Sequence, residues 1–239
     1  GSSIDMATMP NRENYSNEYE YGLDLISWYQ KSFKNADKRL NANVIMPGAT
    51  FIGDENTVYK LYWPYAEHAN DDPPAYRTNW SDQALFPWRK FVNVGEENQQ
   101  RWDSPNDIPI IRYADILLMY AEAKNEAEGP TAKAINAVNK VRQRAGIVGL
   151  SNGLSQEELR HHIRMERLRE LPGEGHLYLD VRRWRTAHTN DPVFGLNNEV
   201  LDFRGKKIFK RVFNERQYLW PIPEQAIEIN DKLEQNPGW

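Results

Sequence analysis

Hydrophobic and polar positions follow two regimes along this chain. Over residues 1–109 apolar residues are scattered among Asn, Asp, Pro, Tyr and Trp. Pro47-Gly48, Gly53-Asp54, Asp72-Pro73-Pro74 and Ser104-Pro105 interrupt them, which predicts long loops. One segment stands out: Tyr21 to Phe33 places Leu25, Ile26, Trp28 and Tyr29 at helical spacing. Short strands are expected at Asn43 to Met46 and Val58 to Trp63. From 110 to 187 the period becomes helical. A first helix, about Arg112 to Glu128, is apolar on most sides and expected to be well buried, and it stops at Gly129-Pro130. A second, from Thr131 to Arg144, carries one stripe of Ala134, Val138, Val141 and Ala145. A third opens at Ser155 with Glu158 three residues on, the capping-box pattern, and carries Leu159, Ile163 and Leu168. A fourth spans His176 to Ala187. Two antiparallel helix pairs of tetratricopeptide size follow from this spacing. Residues 188–239 read as a loop-rich tail with a hairpin between Thr189 and Arg216 and a short helix at Glu224 to Ile229. The expected fold is therefore mainly α, one region over 1–239, with long loops and a few short strands.

Composition narrows the function. The 239 residues are 40% hydrophobic and 27% charged, a globular balance. A net charge of −4 gives no global basic field to recruit nucleic acid or an anionic membrane face. There is no cysteine, so this stretch holds no disulfide, thiolate metal site, cysteine nucleophile or cysteine-borne lipid anchor. The longest apolar run, near Ile116 to Ala121, is far short of the roughly 18 residues that span a bilayer. The polar start Gly1-Ser2-Ser3 reads as a processed terminus. Aromatic residues are abundant: 8 Trp, 12 Tyr and 8 Phe.

Four blocks, in order, then point to a family. Pro109-Ile110-Ile111-Arg112-Tyr113-Ala114-Asp115-Ile116-Leu117-Leu118-Met119-Tyr120-Ala121-Glu122-Ala123 resembles the hallmark helix of the SusD/RagB family. Ala134-Ile135-Asn136 through Val141-Arg142-Gln143-Arg144-Ala145-Gly146 is similar to its second helix. Ile163 to Leu171, Gly175-His176 and Asp180-Val181-Arg182-Arg183-Trp184 resemble its most recognisable stretch. Tyr218 to Pro223 with Asn236-Pro237-Gly238-Trp239 resembles its C-terminal signature. Softer matches lie at Leu23 to Tyr29, Asp37 to Leu40 and Trp88 to Phe91. One departure is Pro172-Gly173, where the family has a short apolar pair; only the turn is expected to change.

The resemblance implies a helical-repeat scaffold of the tetratricopeptide-like kind and a binding role without catalysis. Such a protein is an outer-membrane, surface-exposed lipoprotein. It captures an oligosaccharide or other nutrient and passes it to a SusC-type TonB-dependent transporter. The chain would be the soluble C-terminal portion, its partners being that transporter and the N-terminal half that carries the lipid anchor.

Each motif has a structural reading beside a functional one. Arg112, Asp115, Glu166, Arg167 and Glu170 sit among apolar neighbours and read as a scaffold of salt bridges. The stretch 157–185 holds seven Arg but six acids, against a nucleic-acid site. His68, His161, His162, His176 and His188 form no zinc pattern. No cofactor is expected. Asp54-Glu55 and Asp71-Asp72 offer oxygen ligands that suit calcium, though a solvated acidic turn is the favoured reading. No nucleophile elbow, phosphate loop or dinucleotide fingerprint appears. Glycoside hydrolysis needs only two suitably placed carboxylates, so it stays as the weaker alternative. A protein-interaction fragment without its own ligand site is the other.

Aromatics carry the binding hypothesis. Sugar rings stack their C–H patches on Trp or Tyr faces, and their hydroxyls pair with planar polar groups. Between Tyr59 and Trp102 aromatic and polar residues alternate in Pro-rich loops, where binding residues concentrate. Trp28, Trp88, Trp184 and Trp220 fall on or near the matched blocks and are expected in the core. That leaves Tyr65, Tyr76, Trp80 and Trp102 as carbohydrate platforms, with Arg77 and Asn79 as polar partners.

Overall fold

The structure is a computed structural model. It describes residues 5–52, 57–62, 75–77, 79–80, 83–84, 86–92 and 106–239. Among these the chain is mainly helical. Contacts divide it into two compact units. The first comprises 1–174 with 202–204, the second 175–201 with 205–239.

In the first unit α1 (Glu18–Ser32) begins where Asn17 accepts from the Glu20 N–H at 2.9 Å. Its buried face, Tyr21, Leu25, Trp28 and Tyr29, packs with Met46 and Phe203. The Tyr29 hydroxyl donates to the Phe203 carbonyl at 2.5 Å, and burial, followed by the charge of Asp202, raises its pKa. A short helix α2 (Arg39–Asn43) follows. It occupies part of the stretch expected as a strand, and only Val44 forms a bridge, to Trp88. Strands β1 (Thr50–Ile52), β2 (Val58–Tyr62) and β3 (Ala75–Arg77) make a small mixed sheet with β2 central. Strands β4 (Asn79–Trp80) and β5 (Gln83–Ala84) form a separate pair.

The helical scaffold consists of α3 (Tyr113–Glu128), α4 (Ala132–Arg144) and α5 (Gln156–Glu170). Thr131 caps α4, and Ser155 with Glu158 forms the expected capping box on α5. Leu118, Ala121, Ala134, Val138, Val141, Leu159 and Ile163 share one core. α5 packs on both α3 and α4, so these helices form a group of three rather than one isolated hairpin. The expectation that α3 is well buried holds for one stripe only. Asp115, Leu118, Ala121 and Asn125 face inward, whereas Tyr113 (69% exposed), Ile116, Met119 and Tyr120 lie on the surface. A helix contacted by neighbours on one side buries only one stripe, whatever its composition.

The second unit holds α6 (His176–Arg183), a hairpin of β6 (Glu199–Leu201) and β7 (Lys207–Lys210), and α7 (Glu224–Ile229). Val181, Ala187, Phe194, Phe213 and Tyr218 are buried in it. Side-chain hydrogen bonds join the two blocks of the C-terminal signature. Asn236 donates to the Trp220 carbonyl at 2.6 Å, and Gln235 bonds both the N–H and the carbonyl of Ile222. Trp220 itself is 77% exposed, so the motif position there reflects backbone pairing and not a core ring.

Leu118 is fully buried at the centre of the three-helix core. Leu118→Ala is expected to lower stability by about 3 kcal/mol, read from urea unfolding at constant slope.

Candidate functional site

Three carboxylates on α5 and the turn after it organise the first unit. Glu166 and Glu170 are almost wholly buried. Arg39 reaches both, at 2.8 and 3.0 Å, while also holding Asp37 at 2.6 Å. Arg142 completes Glu166 at 3.0 Å, and Arg144 meets Glu170 at 2.7 Å. Arg112 bridges Glu170 and Glu174 at 3.0 and 2.7 Å. Lys90 pairs with Glu174 and donates to the carbonyls of Glu170 and Pro172. A separate buried pair, Arg167 with Asp115, ties α5 to α3 at 2.7 Å. The charged motif residues are thus scaffold, as their apolar sequence neighbours suggested. Arg39, Lys90 and Glu174, which sequence reasoning passed over, complete it.

Burial pushes the Glu170 carboxyl up, but hydrogen bonds from Arg39 and Arg112 and the charge of Arg144 outweigh this and hold it below the ordinary range. Glu174 follows the same pattern, with Arg112 and Lys90 outweighing burial.

This network places a short segment that carries aromatics. The amides of Arg89 and Lys90 both donate to the Asn43 carbonyl, and Ile45 N–H bonds Pro87 O at 2.8 Å. The Lys90 ammonium anchors the segment to the 170–174 turn. Phe91 turns the chain with a φ of 68°, a left-handed conformation that side chains seldom adopt. Gly173, with φ +77°, lies against the rings: a Cβ there would sit 3.4 Å from Phe91 and 3.5 Å from Trp88. At Pro172-Gly173 the glycine supplies the left-handed turn, and a Cβ there would meet the two rings only in ordinary van der Waals contact.

Two adjoining cavities result, sharing Phe33 and Val44. One, of about 440 Å³, is walled by Phe33, Leu40, Trp88, Leu168 and Pro172, with Asp37, Asn43 and Arg169 at its polar side. Trp88 is 49% exposed, which overturns its assignment to the core. The other cavity, of about 670 Å³, lies between α1 and the 41–50 segment, with Gln30, Lys34, Asn41 and Arg89 among its walls. Gly48 forms part of it. Its φ is +81°, and a Cβ would meet Ile26 at 2.4 Å. Backbone bonds between Gly48 and Leu61 and between Ala49 and Leu61 pin this wall to β2.

Of the expected platform, Tyr76 and Arg77 lie on β3 opposite Leu61 and Tyr62. Asn79 and Trp80 lie on β4 opposite Ala84 and Gln83. Strand β3 joins through β2 to β1, where Thr50 borders the larger cavity. Tyr65 and Trp102 lie outside the described residues, as do Asp54-Glu55 and Asp71-Asp72, the calcium candidates. Among the described residues no group of three His, Asp or Glu is arranged to hold a metal ion. No described helix is long and apolar enough to cross a membrane.

The sequence model of the SusD family matches residues 8–239. The chain belongs to the SusD family. Two SusD-like proteins of Formosa agariphila are 35% and 30% identical to it, over 59% and 93% of its length. It spans 28% and 48% of those relatives. A SusD-like protein from Bacteroides fragilis superposes with a TM-score of 0.61 at 25% identity, covering 88% of this chain and 40% of that one. A surface glycan-binding protein from Bacteroides uniformis shares the fold, with a TM-score of 0.51 at 22% identity. Within this SusD-family chain residues of the first three motif blocks, among them Arg112, Arg142, Arg144, Glu166 and Glu170, build the salt-bridge scaffold, and the cavities lie in the same unit.

Because the folded pKa values of Glu170 and Glu174 lie below the unfolded ones, both carboxylates stabilise the fold above about pH 4.5. That contribution is lost as pH falls through the folded values. Denaturant midpoints should drop steeply below about pH 4. Glu170→Gln should cost roughly 3 kcal/mol at neutral pH, because Arg39, Arg112 and Arg144 lose a shared counter-charge, and should flatten the acid limb.

Proposed function

We propose that this chain contributes a glycan-binding surface to a cell-surface nutrient-capture protein. In this reading the protein is an outer-membrane lipoprotein that passes oligosaccharide to a SusC-type TonB-dependent transporter. The observation that carries it is the exposed Trp88 ring, which shares an apolar cleft with Phe33 beside Asn43, Asp37 and Arg169. An aromatic wall with planar polar groups at its edge suits a pyranose ring. Family membership supports the same reading. Tyr76, Arg77, Asn79 and Trp80 extend the surface along β3 and β4, and Tyr65 and Trp102 belong to the same proposed platform. Binding is favoured over hydrolysis. Among the described residues Asp37 is the one carboxylate bordering the two adjoining cavities, and both its oxygens bond Arg39, whereas hydrolysis needs two available carboxyls.

A second reading has its own observation. Tyr113, Ile116, Met119 and Tyr120 form an exposed apolar face on α3, continued by Ile108, Ile110 (83% exposed) and Ile111. A flat helical face of this kind suits protein packing. Since the chain spans under half of its relatives, we propose that further polypeptide of the parent protein covers it.

Titration with neutral and acidic oligosaccharides, followed by tryptophan fluorescence and calorimetry, tests the first reading. Trp88→Ala is expected to weaken binding about tenfold or more while the far-UV spectrum and melting midpoint stay unchanged. Undiminished binding by that variant would move the site away from the cleft.

A further inference from the structure

The larger cavity has an electrostatic feature that its neighbour lacks. Lys34 and Arg89 both border it, and among the described residues no carboxylate does. Arg89 donates through Nη2 to the Thr50 carbonyl at 2.8 Å. Its Nε–H is buried without an acceptor. Among the described residues neither Lys34 nor Arg89 joins an ion pair, although the next residue, Lys90, closes on Glu174. Arg39, Arg112 and Arg142 likewise close on carboxylates. Two unmatched cations, one with a buried N–H lacking an acceptor, mark a place where an anion is missing. Gln30 and Asn41 add amide groups at the same wall. Phe33 is common to this cavity and to the Trp88 cleft.

We propose that the site selects acidic saccharides, with a carboxylate or sulfate group held by Arg89 and Lys34 and an adjoining sugar ring seated against Phe33 and Trp88. This rests on the glycan-binding reading and names its ligand class. The guanidinium fork suits a planar two-oxygen acceptor, and the ammonium adds a point charge that tolerates either anion. Oligosaccharides without charge offer Arg89 a hydroxyl acceptor but leave both positive charges uncompensated, so they bind more weakly.

The test uses the 239-residue chain and calorimetric titration with three tetrasaccharides: a galacturonan, a sulfated galactan and a neutral galactan. At least one acidic probe is expected to bind about tenfold more tightly than the neutral one, and the advantage should shrink as salt rises past about 0.1 M. Lys34→Met and Arg89→Met should each reduce the ratio of acidic to neutral affinity, whereas Trp88→Ala should weaken all probes and leave the ratio intact. Lys34 is exposed, so its variant reports on charge even if the Arg89 variant is destabilised. Equal or tighter binding of the neutral probe would overturn the acidic preference and leave glycan binding standing. A ratio that survives both substitutions would also overturn it. Failure of all three probes to bind would overturn the glycan-binding reading for this chain. The relative strength of the carboxylated and sulfated probes distinguishes the two anion sources.

Discussion

Glu166 and Glu170 are carboxylates taken out of water, and the first unit is arranged around that fact. A buried charge is tolerated only when it is matched and hydrogen-bonded. The matching groups come from α2, α4 and the residue that opens α3, positions far apart in sequence, while Lys90 pairs with the neighbouring Glu174. Each partner that satisfies a carboxylate therefore also fixes a segment. Arg39 holds α2, and with it Asn43, against α5. Lys90 holds the segment that presents Trp88. Such pairs add little net stability compared with well-packed apolar residues. Their consequence here is positional: removing one partner would leave an uncompensated charge, so alternative placements are costly.

The same physics separates scaffold cations from candidate ligand-binding cations. Arg112 and Arg142 are satisfied inside the protein, whereas Arg89 keeps a buried donor without an acceptor. Aromatic rings divide similarly. Trp28 and Tyr29 fill the core around α1, and Trp88 stands beside a cavity. Gly173 and Phe91 both turn the chain through left-handed backbone beside Trp88, a conformation that glycine adopts freely at 173.

Much of the fold was legible in the sequence because the signals are local. The stripe of Ala134, Val138 and Val141, the capping box at Ser155 and Glu158, and the breaker pair Gly129-Pro130 each act within a few residues. α4 and α5 accordingly lie where their periodicity put them. The site was less legible. Trp88 and Trp220 were assigned to the core because they adjoin motif residues, yet both are exposed. Sequence adjacency to a buried charge does not specify which way a ring points. Arg39 and Lys90 lie in matched stretches, yet their scaffold role was not legible because their partners lie about 130 and 80 residues away.

By itself the sequence determined the helical class, the element order, the charged scaffold residues and the family resemblance. These depend on periodicity, capping and motif order, all of which are carried by neighbouring residues. Tertiary structure alone decided which face of α3 is buried, which tryptophans reach solvent, and which cations lack a carboxylate. Those outcomes depend on what packs against each residue across the fold. Two arginines, Arg112 and Arg89, diverge for that reason: the first meets Glu170 and Glu174, and the second borders a cavity to which, among the described residues, no acid contributes.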